Sequence, residues 1–319
     1  MFMRNALNFV ALILLIFVLF IAVILYFPER LNYPFSDTDL FILKSIRFPM
    51  FIVAFLVGGS LSISGLVFQT VFDNPLATPY TLGVASGASL GVVIYTVFLA
   101  KVIHIPLIFF SLLGGLLSVF VIFLIAKVVN YYSSQTILLS GVALNFFFGS
   151  LILFFQYFAN RFDTFEIYRW LLGGIKPEKP SLLLLLAIVS LIVLVLLMLL
   201  SRKLDLFLLG DTIAKTKGLD TEKYRLIFIT LVSVLTAFCV SIAGPIAFVG
   251  IIVPHIVVRL FDGLHRERLL FSFLLGGVSL VLCQALSVKI LYPSILPIGV
   301  LTAIIGTPIF IYILILRNK

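Results

Sequence analysis

Charge is what this sequence has least of. Only 11% of its 319 residues are Asp, Glu, Lys or Arg, against about 25% in an ordinary soluble domain. That is too little to cover a water-facing surface. Acidic residues number 13, histidines 3, and tryptophan occurs once. The two cysteines, Cys239 and Cys283, lie in apolar runs without metal-ligand spacing. They are expected as small buried hydrophobes, with neither a disulfide nor a metal site. No G-x-x-x-x-G-K-[ST] loop is present to cradle ATP phosphates, and Gly210-Asp211-Thr212 lacks that spacing. Paired carboxylates and nucleophile elbows are missing as well. The apolar runs hold almost no ionisable groups, with His255 the one candidate at depth. A proton- or ion-coupled secondary transporter usually carries such groups along its path, and one histidine makes no relay. Any driving energy is therefore expected from another polypeptide.

What the chain does contain is apolar sequence, 62% of its residues, with a mean hydropathy of +1.28. A spanning helix takes about 20 apolar residues. Charge-free windows fall at about 7–27, 48–71, 81–100, 105–126, 136–156, 181–201, 226–243, 247–261, 269–288 and 298–316. The sequence predicts an all-α polytopic membrane protein of about ten transmembrane helices. The first window lacks a small-residue cleavage site and is expected as a span, not a signal peptide. The eighth is short and contains Pro254. An even count places both termini on one side. With the termini inside, thirteen of the 22 Lys and Arg fall inside, including the dense cluster Arg202 to Arg225. The termini are therefore expected to be cytoplasmic. The net charge of +9 follows from the same rule and implies no nucleic acid. The whole of 1–319 is expected as one transmembrane domain, with an inner segment at about 202–225 and outer loops at about 28–47 and 157–180.

Three features go beyond a plain bundle. Gly83, Gly87 and Gly91 recur every four residues, as do Ala54, Gly58 and Ser62 one window earlier. Such seams permit close helix packing, here in a compact core beside a path. Asn74, Pro75, Leu76 and Pro79 lie in a break between windows, and Gly244, Pro245 and Pro254 interrupt the region of the eighth. Irregular backbone at membrane depth is tolerated inside protein or along a water-filled cavity. The inner segment Leu206-Phe207-Leu208-Leu209-Gly210 through Ala214 and Gly218 mixes apolar, small and charged residues. Gly210, Ala214 and Gly218, four apart, are predicted to let a helix dock in a partner's groove.

At these residues the chain resembles the FecCD-type permeases of iron-siderophore, haem and cobalamin ABC importers. The similar stretches are ordered along the sequence: Arg47-Phe48-Pro49, Gly65 to Gln69, Asn74-Pro75-Leu76-Ala77-x-Pro79, Leu82-Gly83-Val84-x-x-Gly87-Ala88, Leu209-Gly210 with Ala214 and Gly218, Gly244-Pro245-Ile246 through Gly250, Pro254-His255-Ile256-Val257-x-Arg259, Leu296-Pro297-x-Gly299 and Gly306-x-Pro308-Ile309-Phe310. The resemblance implies a multi-pass permease of the bacterial cytoplasmic membrane, paired with a second copy or a close homologue. It implies cytoplasmic ATPase partners that hold ATP and Mg, an extracytoplasmic substrate-binding protein, and no cofactor on this chain. Leu206, Leu209, Gly210, Ala214 and Gly218 would meet the ATPase, and Arg47 the binding protein. Asn74 to Gly87, with Gly244, Pro245, Pro254 and His255, would form the path or pack beside it. The chain departs from the pattern at Met50, Gln284 and Ile295, where charged residues are usual.

The expected function is translocation of a ferric siderophore or similar iron chelate, with cobalamin or haem import as the runner-up. A secondary transporter or channel is the rival from another class. A membrane enzyme would have only His255, Arg259 and Asp262 to work with, which solvated anchoring explains more simply.

Overall fold

The computed structural model describes residues 37–128, 134–261, 263–291 and 294–317, and all regular structure among them is helical. The helices are α1 (Asp37–Ile42), α2 (Phe48–Phe72), α3 (Val84–Ile94), α4 (Leu107–Val128), α5 (Ser134–Gln156), α6 (Arg161–Leu171), α7 (Pro180–Leu199), α8 (Ser201–Phe207), α9 (Asp211–Thr216), α10 (Thr221–Ala243), α11 (Val249–Leu260), α12 (His265–Ile290) and α13 (Ile298–Arg317). A π-helical turn, Leu43–Arg47, joins α1 to α2, and another, Tyr95–Leu99, extends α3. The window at 7–27 lies outside the described residues. The other nine each fall on a helix.

Among the described residues, six helices are long and apolar enough to cross a membrane: Leu40–Phe72, Leu107–Val128, Ser134–Gln156, Pro180–Leu199, Thr221–Ala243 and His265–Ile290. Val84–Leu99, Val249–Leu260 and Ile298–Ile313 are shorter. At ~1.5 Å per residue, α11 reaches only about 18 Å, well short of a ~30 Å hydrocarbon core. The eighth window was expected to be short; the third and tenth join it. The 157–180 stretch, expected as an outer loop, holds a helix, α6, whose first turn is capped by Asn160 Oδ1 accepting from the Asp163 amide at 2.9 Å.

Burial sorts the spans. α2 is the central one, buried on nearly every side by α10, α11 and α12. By contrast α4, α5 and α7 expose rows of large apolar side chains, among them Leu113, Leu117, Phe120, Phe146, Phe147, Leu191 and Ile192. Such surfaces belong in lipid. The two small-residue seams face different neighbours. Gly58 and Ser62 pack against α12, where a β-carbon at Gly58 would strike the Gly276 carbonyl and Ser62 Oγ lies 2.6 Å from Ser272 Oγ, and Ala54 one turn earlier is fully buried. Gly87 and Gly91 instead approach Gly114 and Phe110 of α4. Gly83 caps α3 with φ +76° and sits near Ser118 of α4 at ordinary contact distance.

Candidate translocation path and inner coupling surface

The first break begins where α2 stops. Asp73 turns the chain with φ 48°, and Asn74 Oδ1 accepts the Leu76 amide at 2.9 Å. Thr78 and Thr81 then form a reciprocal cap on the 3-10 turn Pro79–Leu82. Carbonyls left free by such a break need donors. Asn145 of α5 supplies them, its Nδ2 donating to the Tyr80 and Thr81 carbonyls at 3.1 and 3.3 Å, while its Oδ1 accepts from Ser86 Oγ at 2.7 Å. Ala77, Thr78 and Pro79 are buried, whereas Leu76 is exposed.

The second break lies between α10 and α11. Gly244 and Phe248 both adopt positive φ, +68° and +69°. Pro254 sits inside α11, and its missing N–H removes the helical donor for the Gly250 carbonyl. Gln69 of α2 fills that role: its Nε2 donates to the Gly250 and Ile251 carbonyls at 3.5 and 3.2 Å. Gly250 rests against Leu61 and Gly65, so α11 starts beside the middle of α2. Half-buried His255 follows Pro254 on α11.

The two breaks, separate in sequence, meet in space. The Ile246 amide donates to Tyr80 Oη at 2.9 Å. Between them lies a cavity of about 160 Å³ lined by Leu61, Thr78, Pro79, Tyr80, Thr236 and Ile246, among others. Thr236 Oγ1 is buried there with no hydrogen-bond partner among the described residues.

The 202–225 segment, expected on the inner side, starts with two short helices, α8 and α9. Gly210 (φ +82°) and Gly218 (φ +83°) bracket α9, where a β-carbon would be strained although space is open around both. Ala214 between them is fully buried. Gly210, Ala214 and Gly218 therefore do not form the single helical face that their spacing predicts. The exposed apolar face is Leu208, Leu209 and Ile213, with Leu206 half-buried.

This segment is anchored by residues the sequence did not single out. Arg225, 2% exposed, donates from Nη2 to both carboxylate oxygens of Asp211 at 2.7 and 2.6 Å. Its guanidinium also lies 5.7 Å from the Phe207 ring centre. Asp205 on α8 meets His265 at the start of α12, 2.7 Å from Nδ1. The available clue was two carboxylates, Asp205 and Asp211, flanking an apolar run inside a cationic stretch. Arg225 had been counted only as a topology-setting charge. Asp262 of the rival enzyme cluster lies outside the described residues. Among them, no cluster of three His, Cys, Asp or Glu could hold a metal ion.

Residues 8–316 match the FecCD transport family. The chain belongs to that family. It is 35% identical to the "Probable iron chelatin transport system permease protein" of Helicobacter pylori (strain ATCC 700392 / 26695), over 89% of this chain and 85% of the relative. To the cobalamin import system permease protein BtuC of Halobacterium salinarum (strain ATCC 700922 / JCM 11081 / NRC-1) it is 32% identical, over 90% and 77%. Its fold superposes with a TM-score of 0.84 on a metal-chelate type ABC transporter solved in an inward-facing conformation, at 28% identity, covering 96% of this chain and 97% of the other. This FecCD chain is thus a multi-pass membrane transport protein.

A cleft of about 340 Å³ opens between α6, the end of α10, α12 and the start of α13. Arg169, Trp170, Gly173, Gly244 and Ser287 line it. So do Met50, Gln284 and Ile295, the three positions that depart from the family pattern, drawn together from far apart in the chain. Arg47 is half-buried beside it, next to the lining residue Ile46.

Proposed function

We propose that this chain is the permease subunit of an ATP-driven importer that carries a ferric siderophore or similar iron chelate across a bacterial cytoplasmic membrane. The carrying observation is the 202–225 segment: an exposed apolar face of Leu208, Leu209 and Ile213, fixed from behind by Asp211 held on the buried Arg225. A lone permease has no use for such a rigidly backed apolar face in water; a partner ATPase bearing ATP and Mg does. Leu206, Leu209, Gly210, Ala214 and Gly218 make up this coupling region, with Ala214 acting from the buried side. In this reading ten helices cross the bilayer with both termini cytoplasmic, and a second permease copy or close homologue completes the path.

Substrate moves past the joined breaks of Asn74 to Gly87 and Gly244 to His255. Loosening either break shifts the other through the Tyr80–Ile246 bond. The outer cleft beside Arg47 faces the substrate-binding protein. Its low charge at Met50, Gln284 and Ile295 makes docking rest on Arg47 and neighbouring loop charges. The relatives supply the substrate class, since a protein named for iron chelatin transport is among them, as is a cobalamin permease. Cobalamin import is accordingly the second reading.

Reconstitution tests the proposal. The chain alone in proteoliposomes is expected to hydrolyse no ATP. With a partner ATPase and a substrate-binding protein added, uptake of radio-iron chelate is expected to follow ATP hydrolysis. Uptake driven by an ion gradient without any ATPase would overturn the assignment, and uptake of labelled cobalamin in place of iron would move it to the second reading.

A further inference from the structure

Three helices that the path and the coupling region use separately are joined at one buried histidine. His265, the first residue of α12, is 1% exposed. Its backbone amide donates to Asp205 Oδ1 at 3.0 Å, and its Nδ1 lies 2.7 Å from the same oxygen. On the opposite edge of the ring, Nε2 lies 2.9 Å from Thr70 Oγ1 in the last turn of α2. Asp205 belongs to α8 in the inner segment, and Thr70 precedes the Asn74–Pro79 break by four residues.

The chemistry of the ring makes this a strut. Asp205 only accepts, so Nδ1 carries a hydrogen whether the imidazole is neutral or charged. Thr70 Oγ1 can accept from Nε2, sending its own hydrogen to the Leu66 carbonyl at 2.9 Å, or it can donate to Nε2. Both links therefore survive either protonation state. A planar ring holding one partner at each end has fixed length, unlike a lysine or glutamate chain. An ordinary helix cap would explain the Asp205 bond alone. It leaves the Thr70 bond, and the connection of α8 to α2, without a purpose.

We propose that His265 is a positioning residue for transport: it transmits displacement of the coupling segment at Asp205 to Thr70, and so to the Asn74–Pro79 break. This rests on the reading that a partner ATPase moves that segment. Hydrolysis itself does not need the strut; converting hydrolysis into opening of the path does.

Two substitutions divide the links. Thr70→Val removes the Nε2 partner without changing shape and keeps the cap. His265→Asn keeps a donor near the Nδ1 position and falls short of Thr70. In the reconstituted complex both are expected to lower chelate uptake per ATP hydrolysed by roughly tenfold, within the usual range of coupling between sites. ATP hydrolysis stays near wild type, thermal unfolding falls modestly because the buried Nε2 loses its partner, and in uptake per ATP the double variant is no worse than either single one. A Thr70→Val complex with wild-type uptake per ATP would sink the strut, as would a proportional loss of uptake and hydrolysis. Hydrogen exchange on the purified chain gives an answer free of the functional reading. Asp205→Ala, which removes the acceptor for both His265 bonds, is expected to raise exchange through residues 70–80 in the wild-type background and not in Thr70→Val. Exchange changes confined to the inner segment in both backgrounds would overturn the proposal even if transport is ATP-driven. Absence of ATP-driven uptake by the wild-type complex would instead count against the function alone.

Discussion

Arg225 and Asp211 share two hydrogen bonds but not the same surroundings, and the difference decides what each substitution does. The guanidinium is 2% exposed and the carboxylate 47%. Asp211→Ala leaves a buried cation without its carboxylate, so it is expected to cost about 3 kcal/mol, near the lower end for breaking buried pairs. Arg225→Met leaves a carboxylate that water can reach, and its cost is expected to be nearer 1–2 kcal/mol. Thermal unfolding in detergent checks the order, and limited proteolysis around Gly210 and Gly218 is expected to follow it. Equal losses would mean that the pair contributes through charge alone. The Lys215–Glu222 pair nearby, at 3.8 Å with both side chains over half exposed, contributes little.

At the scale of elements, α11 owes its proline to α2. Gln69 donates to the carbonyl that Pro254 leaves without a helical partner, over bonds of 3.5 and 3.2 Å. Gln69→Leu is expected to cost about 1 kcal/mol, because bonds this long are at the weak end. Pro254→Ala restores an N–H at position 254 and is expected to recover most of that loss in the double variant. A double-mutant cycle on unfolding free energy measures the coupling, and strict additivity would refute the compensation. The windows of charge-free sequence located nine described helices because lipid forces backbone into helices wherever charge is absent. Partnerships between helices were not legible, since Gln69 and Gly250 are far apart in the chain. Spacing also misled at Gly210, Ala214 and Gly218. A period of four implies one face only while the helix continues, and both glycines have positive φ outside it, Gly210 just before α9 and Gly218 just after. The helix α6 was missed for a related reason: charged loop sequence gave no apolar window, and its start depends on the Asn160 cap.

For the whole molecule, burial and orientation combine into a layout that chemistry can probe. α2 and α10 lie inside the protein, while α4, α5 and α7 are mostly exposed, so the proposed path goes with the inner pair and the apolar outer three suit lipid. The excess of Lys and Arg on the side of the 202–225 segment then predicts which way the layout faces. Native cysteines interfere little with labelling, because Cys239 is buried and Cys283 half-buried. A Leu209→Cys variant is expected to react with a membrane-impermeant maleimide only in inside-out vesicles, because residue 209 is exposed on the inner segment. Tyr157→Cys, at the exposed start of the outer loop, is expected to react only from the opposite side. Labelling of both from one side would require an even number of crossings between 157 and 209, whereas the structure places one membrane-length helix, α7, between them. That result would overturn the span assignment as well as the orientation. Reversed but still opposite labelling would keep the span assignment and place the coupling face outside, away from any source of ATP.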